Sequence, residues 1–176
     1  MKITYKLTND VCAMYNIDVG DINVFVQTNY MSLTMFICHD NNLSSLPKLL
    51  SLAPLTELQC HNNQLTELID LPETLKLLSC SGNKLKKLPT LPPNLVNLFC
   101  HFNQLTELPP LPFTLVTLYC YDNHLRELPD LKSVPYLNCL FCENNHIMGI
   151  NEMDLSNIRR LRISNQTPTE SLCSIL

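Results

Sequence analysis

Residues 75–128 repeat one frame at a period of 20: LKLLSCSGNKLKKLPTLPPN is followed by LVNLFCHFNQLTELPPLPFT and then by LVTLYCYDNHLREL. The shared pattern is L-x-x-L-x-C-x-x-N-x-L-x-x-L-P-x-L-P. A unit this short cannot bury its own apolar edge. It must stack on copies of itself, so the pattern demands a solenoid before any single element is considered.

Six good turns of the repeat can be aligned. They begin at Leu33, Leu55, Leu75, Leu95, Leu115 and Leu137, and a degraded seventh holds Ile158, Leu161 and Ile163. The start-to-start spacings are 22, 20, 20, 20, 22 and 21. Both 22-residue turns carry their extra pair in the connection after the strand, at KLLSLAPL and DLKSVPYL, where insertion disturbs least.

The spacing dictates the role of each position. L-x-x-L-x-C reads as a short strand with both leucines and the cysteine facing inward, paired in parallel with the next turn's strand. Asn63, Asn83, Asn103, Asn123 and Asn145 fall where the chain leaves the strand, and their amides are suited to satisfy backbone groups there. The prolines of L-P-x-L-P fix φ and remove a donor, which disfavours helix on the far side. The predicted fold is a thin solenoid with a curved parallel β-sheet on its concave side and an extended, polyproline-like convex side.

Nine cysteines in 176 residues would ordinarily suggest a disulfide framework. Here Cys60, Cys80, Cys100, Cys120 and Cys142, with Cys38, share one inward position. They are expected about 4.8 Å apart along the stack as structural core. Cys139 and Cys142 form a C-x-x-C pair, but three residues along a strand place them on opposite faces. The opening MKITYKLTND has no apolar h-region of a secretory leader, so a cytoplasmic protein with reduced thiols is expected.

Residues 1–32 fall outside the frame and are read as an N-terminal cap hiding one degenerate turn. Strand alternation covers residues 2–7 and 22–26, with a short helix over 11–17. Residues 33–166 form the solenoid, and residues 167–176 a C-terminal tail.

These motifs resemble the leucine-rich-repeat family. The L-P-x-L-P-x-x-L connection is similar to the short bacterial subclass of the IpaH and YopM effectors, although cysteine stands where that subclass usually has an aliphatic. L-x-C-x-x-N turns are also similar to leucine-rich-repeat proteins of giant amoeba-infecting viruses. The resemblance implies a non-enzymatic scaffold that binds a protein partner on its concave strands, in a viral or bacterial host-interaction protein. The ligase domain of the IpaH group has no counterpart here, since Cys173 lies in a short tail without a matching motif.

The outward positions support a binding face. Between the second leucine and the cysteine, successive turns read Ile37, Gln59, Ser79, Phe99, Tyr119, Phe141 and Arg162; just after the cysteine they read His39, His61, Ser81, His101, Tyr121, Glu143 and Ser164. Phe99, Tyr119, Tyr121, Phe141 and Phe102, with His101 and Leu77 beside them, form the candidate partner site. Half-exposed, these aromatics would show on the order of 500 Å². An aromatic ladder that only staples strands is the competing reading.

Other chemistries find little support. A net charge of −4 argues against nucleic acid, and no apolar run is long enough to span a membrane. Three glycines leave no phosphate-binding loop, and no nucleophile stands with a base. Arg159, Arg160 and Arg162 cluster at the far end. His39 and His61, with Asp40 beside them, are sterically compatible with a zinc pair, but the sequence leaves a third and fourth ligand unassigned, so no metal or cofactor is expected. The alternative function is an assembly component that self-associates or sits in a larger particle.

Overall fold

The computed structural model describes residues 6–8, 11–13, 30–148, 155 and 158–163. Nine three-residue strands form one sheet in chain order: β1 (Lys6–Thr8), β2 (Val11–Ala13), β3 (Met35–Ile37), β4 (Glu57–Gln59), β5 (Leu77–Ser79), β6 (Asn97–Phe99), β7 (Thr117–Tyr119), β8 (Cys139–Phe141) and β9 (Arg160–Arg162). β1 and β2 pair antiparallel, and every pairing from β2 to β9 is parallel. The register follows the repeat, with Leu58, Leu78, Leu98, Leu118 and Leu140 opposite one another.

The strands are shorter than the L-x-x-L-x-C span, and the reason is geometric. Two leucines three apart cannot both face inward on a regular strand. The chain resolves this with a bulge before each of β4 to β9. The N–H groups of Val96 and Asn97 both donate to Lys76 O, at 2.8 and 3.0 Å, and Val116 and Thr117 do the same to Val96 O. Leu95, Leu98 and Cys100 are thereby all fully buried.

The asparagines form the expected ladder. Asn103 Oδ1 accepts Leu85 N–H at 3.0 Å, while its amide donates to the carbonyls of Cys80, Cys100 and His101 at 3.0 to 3.3 Å. Asn63, Asn83, Asn123 and Asn145 repeat the arrangement. A side chain with both amide donors and a carbonyl acceptor is what these groups require.

Among the described residues, 3-10 segments interrupt the extended connections at Tyr30–Ser32, ahead of the first good turn, and within the repeats at Lys48–Leu52 and Leu131–Ser133. These last two fall in the 22-residue turns, so the added pair is taken up as a tight turn. Leu50, from Lys48–Leu52, is fully buried.

The cap departs from expectation at one place. Residues 11–13 form strand β2, where the start of a helix over 11–17 was expected. β2 lies against β3 in parallel register, Cys12 opposite Phe36, and so covers backbone groups that would leave β3 as a bare edge. The strand expected over 22–26, and the tail at 167–176, lie outside the described residues.

Candidate binding face

Each of β3 to β7 alternates partly buried, buried, partly buried, so its first and third residues face out of the solenoid. The third positions stand in one row by strand pairing: Ile37, Gln59, Ser79, Phe99, Tyr119, Phe141, Arg162. Phe99 meets Tyr119 edge-to-face at 5.1 Å, and Tyr119 stacks on Phe141 at 4.5 Å. The Arg162 guanidinium continues the row at 4.8 Å from the Phe141 ring centre. It also lies 3.9 Å from Glu143. Arg162 thus extends the aromatic row, a role that its place in a basic cluster did not suggest.

A second group stands beside this row. His101 stacks on Tyr121 at 4.4 Å, and Phe102 meets Tyr121 edge-to-face at 5.2 Å. Tyr119 joins the two groups at 6.2 Å from His101 and 6.5 Å from Tyr121. Leu77 sits on the same face, between Glu57 and Asn97.

The rings are less open than a half-exposed estimate supposed. Phe99, Tyr119, Tyr121 and Phe141 are each partly buried, because each ring covers its neighbour. Phe102 alone of the set stands more than half exposed, at 54%. Cys139 lies on this outward face, opposite Thr117, yet is buried, with its thiol 3.7 Å from the Tyr119 hydroxyl. Beside the row, Val116, Thr117, Asn138, Cys139, Arg159 and Arg160 line an open recess of about 300 Å³.

Phe102 holds a backbone conformation that few residues of its kind adopt. Asp40, Asn62, Gly82, Phe102, Asp122 and Asn144 share one position, all at φ between 52° and 62°. Five are Asp, Asn or Gly, the residues that visit this left-handed region most readily. A phenylalanine there is strained. The sequence signal was available in that column of residue types.

Burial sets the protonation of several groups. It lowers the His101 pKa, with His61 adding to the effect and Asp122 opposing it. His101 Nδ1 and Glu143 Oε2 are buried atoms with no hydrogen-bond partner among the described residues. Burial raises the Tyr121 hydroxyl, and the contact with Cys139, then burial, raises that of Tyr119. In the inward column, burial pushes the thiols of Cys60 and Cys142 up to about 12, and those of Cys80, Cys100 and Cys120 well above their ordinary value. No disulfide joins Cys60, Cys80, Cys100, Cys120 or Cys139.

At the other end of the face, His39 and His61 stack at 4.3 Å. Asp40 Oδ2 lies 2.6 Å from His39 Nδ1. The Asn62 amide, then His39, holds the Asp40 carboxyl below its ordinary pKa, while burial, then the charge of His39, lowers that of His61. These three are the one group of potential metal donors among the described residues.

Solved structures place the architecture. The leucine-rich-repeat domain of a Shigella effector is 33% identical, with a TM-score of 0.63, over 76% of this chain and 58% of its own length. YopM from Yersinia enterocolitica is 32% identical, TM-score 0.64, over 76% of this chain and 33% of its own. The functional domain of InlJ from Listeria monocytogenes, which includes a cysteine ladder, is 26% identical, TM-score 0.69, over 90% of this chain and 34% of its own. The chain therefore spans less than two thirds of each. No family model and no curated protein matches it. Among the described residues, no helix is long and apolar enough to cross a membrane.

Proposed function

We propose, from the premise that this chain is a leucine-rich-repeat protein, that it is a non-enzymatic module whose concave face binds a protein partner. The supporting observation is the continuous row Phe99, Tyr119, Phe141 and Arg162 on four consecutive strands. Aromatic rings and arginine are the side chains that most often anchor protein interfaces. Phe102, Tyr121 and His101 flank the row as a second anchor group, with Leu77 at its margin. Arg159 and Arg160 in the neighbouring recess favour a partner that carries acidic groups beside its apolar ones. The similarity to bacterial effector domains supports a host-interaction role, and buried thiols that no disulfide joins suit the reducing cytoplasm of the producing or host cell.

The test is capture from host-cell lysate by wild type and by a Phe99→Ser, Tyr119→Ser, Phe141→Ser variant, with circular dichroism showing both folded. A protein held by wild type and lost from the variant is the expected result. Equal capture overturns the concave site.

One observation favours a second reading, in which the module self-associates or joins a larger particle. Phe113 and Tyr136, in the connections, meet edge-to-face at 5.2 Å while 58% and 59% exposed. That reading predicts a mass that rises with concentration in light scattering and falls when both become serine.

A further inference from the structure

We propose that His39, Asp40 and His61 form a Zn²⁺-binding site at the N-terminal end of the concave face, separate from the aromatic row. One donor atom from each of the three lies within 4.8 Å of the other two. Imidazole nitrogen and carboxylate oxygen are established zinc ligands at about 2.0–2.2 Å. Tetrahedral ligands at that radius stand about 3.4 Å apart, a spacing these donors reach by rotation about side-chain bonds.

The backbone holds the donors in place. His39 and His61 follow equivalent cysteines on adjacent turns. Those turns are tied by Cys38 N–H to Gln59 O at 2.8 Å and Asp40 N–H to His61 O at 3.0 Å. Asp40 has φ 55°, the left-handed bend that follows His39.

Outer partners then orient the donors. Asn62 Nδ2 donates to Asp40 Oδ1 at 2.8 Å, while Oδ2 lies 2.6 Å from His39 Nδ1, so the ion takes the place of the proton between Oδ2 and that nitrogen, which is released on binding. Ser79 Oγ lies 3.1 Å from His61 Nδ1. Accepting the proton of that nitrogen, it leaves the Nε2 lone pair to the ion. Hydrogen-bonded outer partners of this kind fix tautomer and ring orientation in metal sites.

Three protein donors leave one position for water or for a group from a partner, the arrangement of open zinc sites. A second stacked histidine pair, His124 and His146 at 5.7 Å, has no such third donor among the described residues. It serves as the control.

The experiment titrates Zn²⁺ into untagged, chelator-stripped protein by calorimetry. Co²⁺ is added in parallel, its visible spectrum reporting coordination. Wild type is expected to take up one Zn²⁺ per chain. Asp40→Asn keeps a residue that tolerates the left-handed bend but removes the carboxylate; it and His61→Ala should each weaken binding at least tenfold. Ser79→Ala should weaken it about 10- to 100-fold through the lost orientation. His124→Ala should leave it unchanged. Absence of stoichiometric uptake overturns the proposal. So does uptake that persists in a His39→Ala, His61→Ala variant shown to be folded.

Discussion

Asn103 Oδ1 accepts the backbone N–H of Leu85 at 3.0 Å, tying each turn of the solenoid to the one before it. The same side chain satisfies the carbonyls of Cys80, Cys100 and His101. Asn103→Leu fills a similar volume but leaves these backbone groups without that partner. A buried backbone group stripped of its partner costs about 1–3 kcal/mol. Several at once place the expected loss at about 3–5 kcal/mol, near the upper end for single substitutions. Urea denaturation of wild type and variant measures it, and a loss under 1 kcal/mol would show that the ladder is not structural.

The sequence carried the stacking register and the asparagine ladder because both depend on one period. A one-residue slip would turn the leucines outward and bury Phe99 and Tyr119. It could not carry the bulge at Val96 and Asn97, which has no residue signature of its own. Val11–Ala13 was misread because three apolar residues fit a helix turn or a strand equally; the bare edge of β3 decided the matter. Of the candidate site, the row of aromatics was legible from alternation alone. Their mutual covering was not, since it depends on rotamers. Nor was the position of Arg162 over Phe141, which joins residues on two turns.

Gly82 is required twice over. Its φ is 62°, and a Cβ there would collide with Asn62 Oδ1 on the preceding turn. Gly82→Ala should cost about 1–2 kcal/mol from the left-handed backbone alone, with the collision adding to it. In an Asn62→Gly background the collision disappears and only the backbone cost remains. A double-mutant cycle by urea denaturation should therefore show coupling; additive losses would refute the contact.

The inward thiols predict alkaline sensitivity. Cys60 and Cys142 have pKa values pushed up to about 12 by burial, against an ordinary value of 9.0. Above pH 9 the unfolded chain loses these protons and the folded chain keeps them. The unfolded state is then favoured as pH rises, by about 1.4 kcal/mol per thiol per pH unit. Stability is thus complete below pH 9 and falls between 9 and 12. Urea midpoints at pH 8 and pH 10 should differ sharply, and Cys60→Ala should reduce the difference. At pH 8 the column should resist thiol reagents until denaturant is added.

His101 carries the opposite dependence. Burial holds its folded pKa below 6.5, the charge of His61 adds to the shift, and Asp122 opposes it. Phe102, Tyr119 and Tyr121 supply the surrounding rings. Below pH 6.5 the unfolded chain takes up the proton first, so stability is full above 6.5 and declines as pH falls toward the folded value. Urea midpoints should be lower at pH 5 than at pH 7.5. His101→Gln should flatten that slope in part, since His61 shifts in the same direction.

Phe102 links stability to the proposed function. Its φ of 53° costs a bulky L-residue about 1–2 kcal/mol relative to a right-handed conformation. Phe102→Ala and Phe102→Asn both remove the ring and its contacts with His101 and Tyr121. Only asparagine relieves the backbone. Nor does an asparagine gain the amide contact that Asn62 makes to Asp40, because the preceding turn offers Gly82 there. The difference between the two variants therefore isolates the strain: Phe102→Asn should exceed Phe102→Ala by about 1 kcal/mol in urea denaturation. Both should weaken partner capture equally. A strained aromatic kept where its neighbours have Asp, Asn or Gly is consistent with selection for what the ring touches. If both variants bind as wild type does, Phe102 is not an anchor, and the partner rests on Phe99, Tyr119 and Phe141 alone.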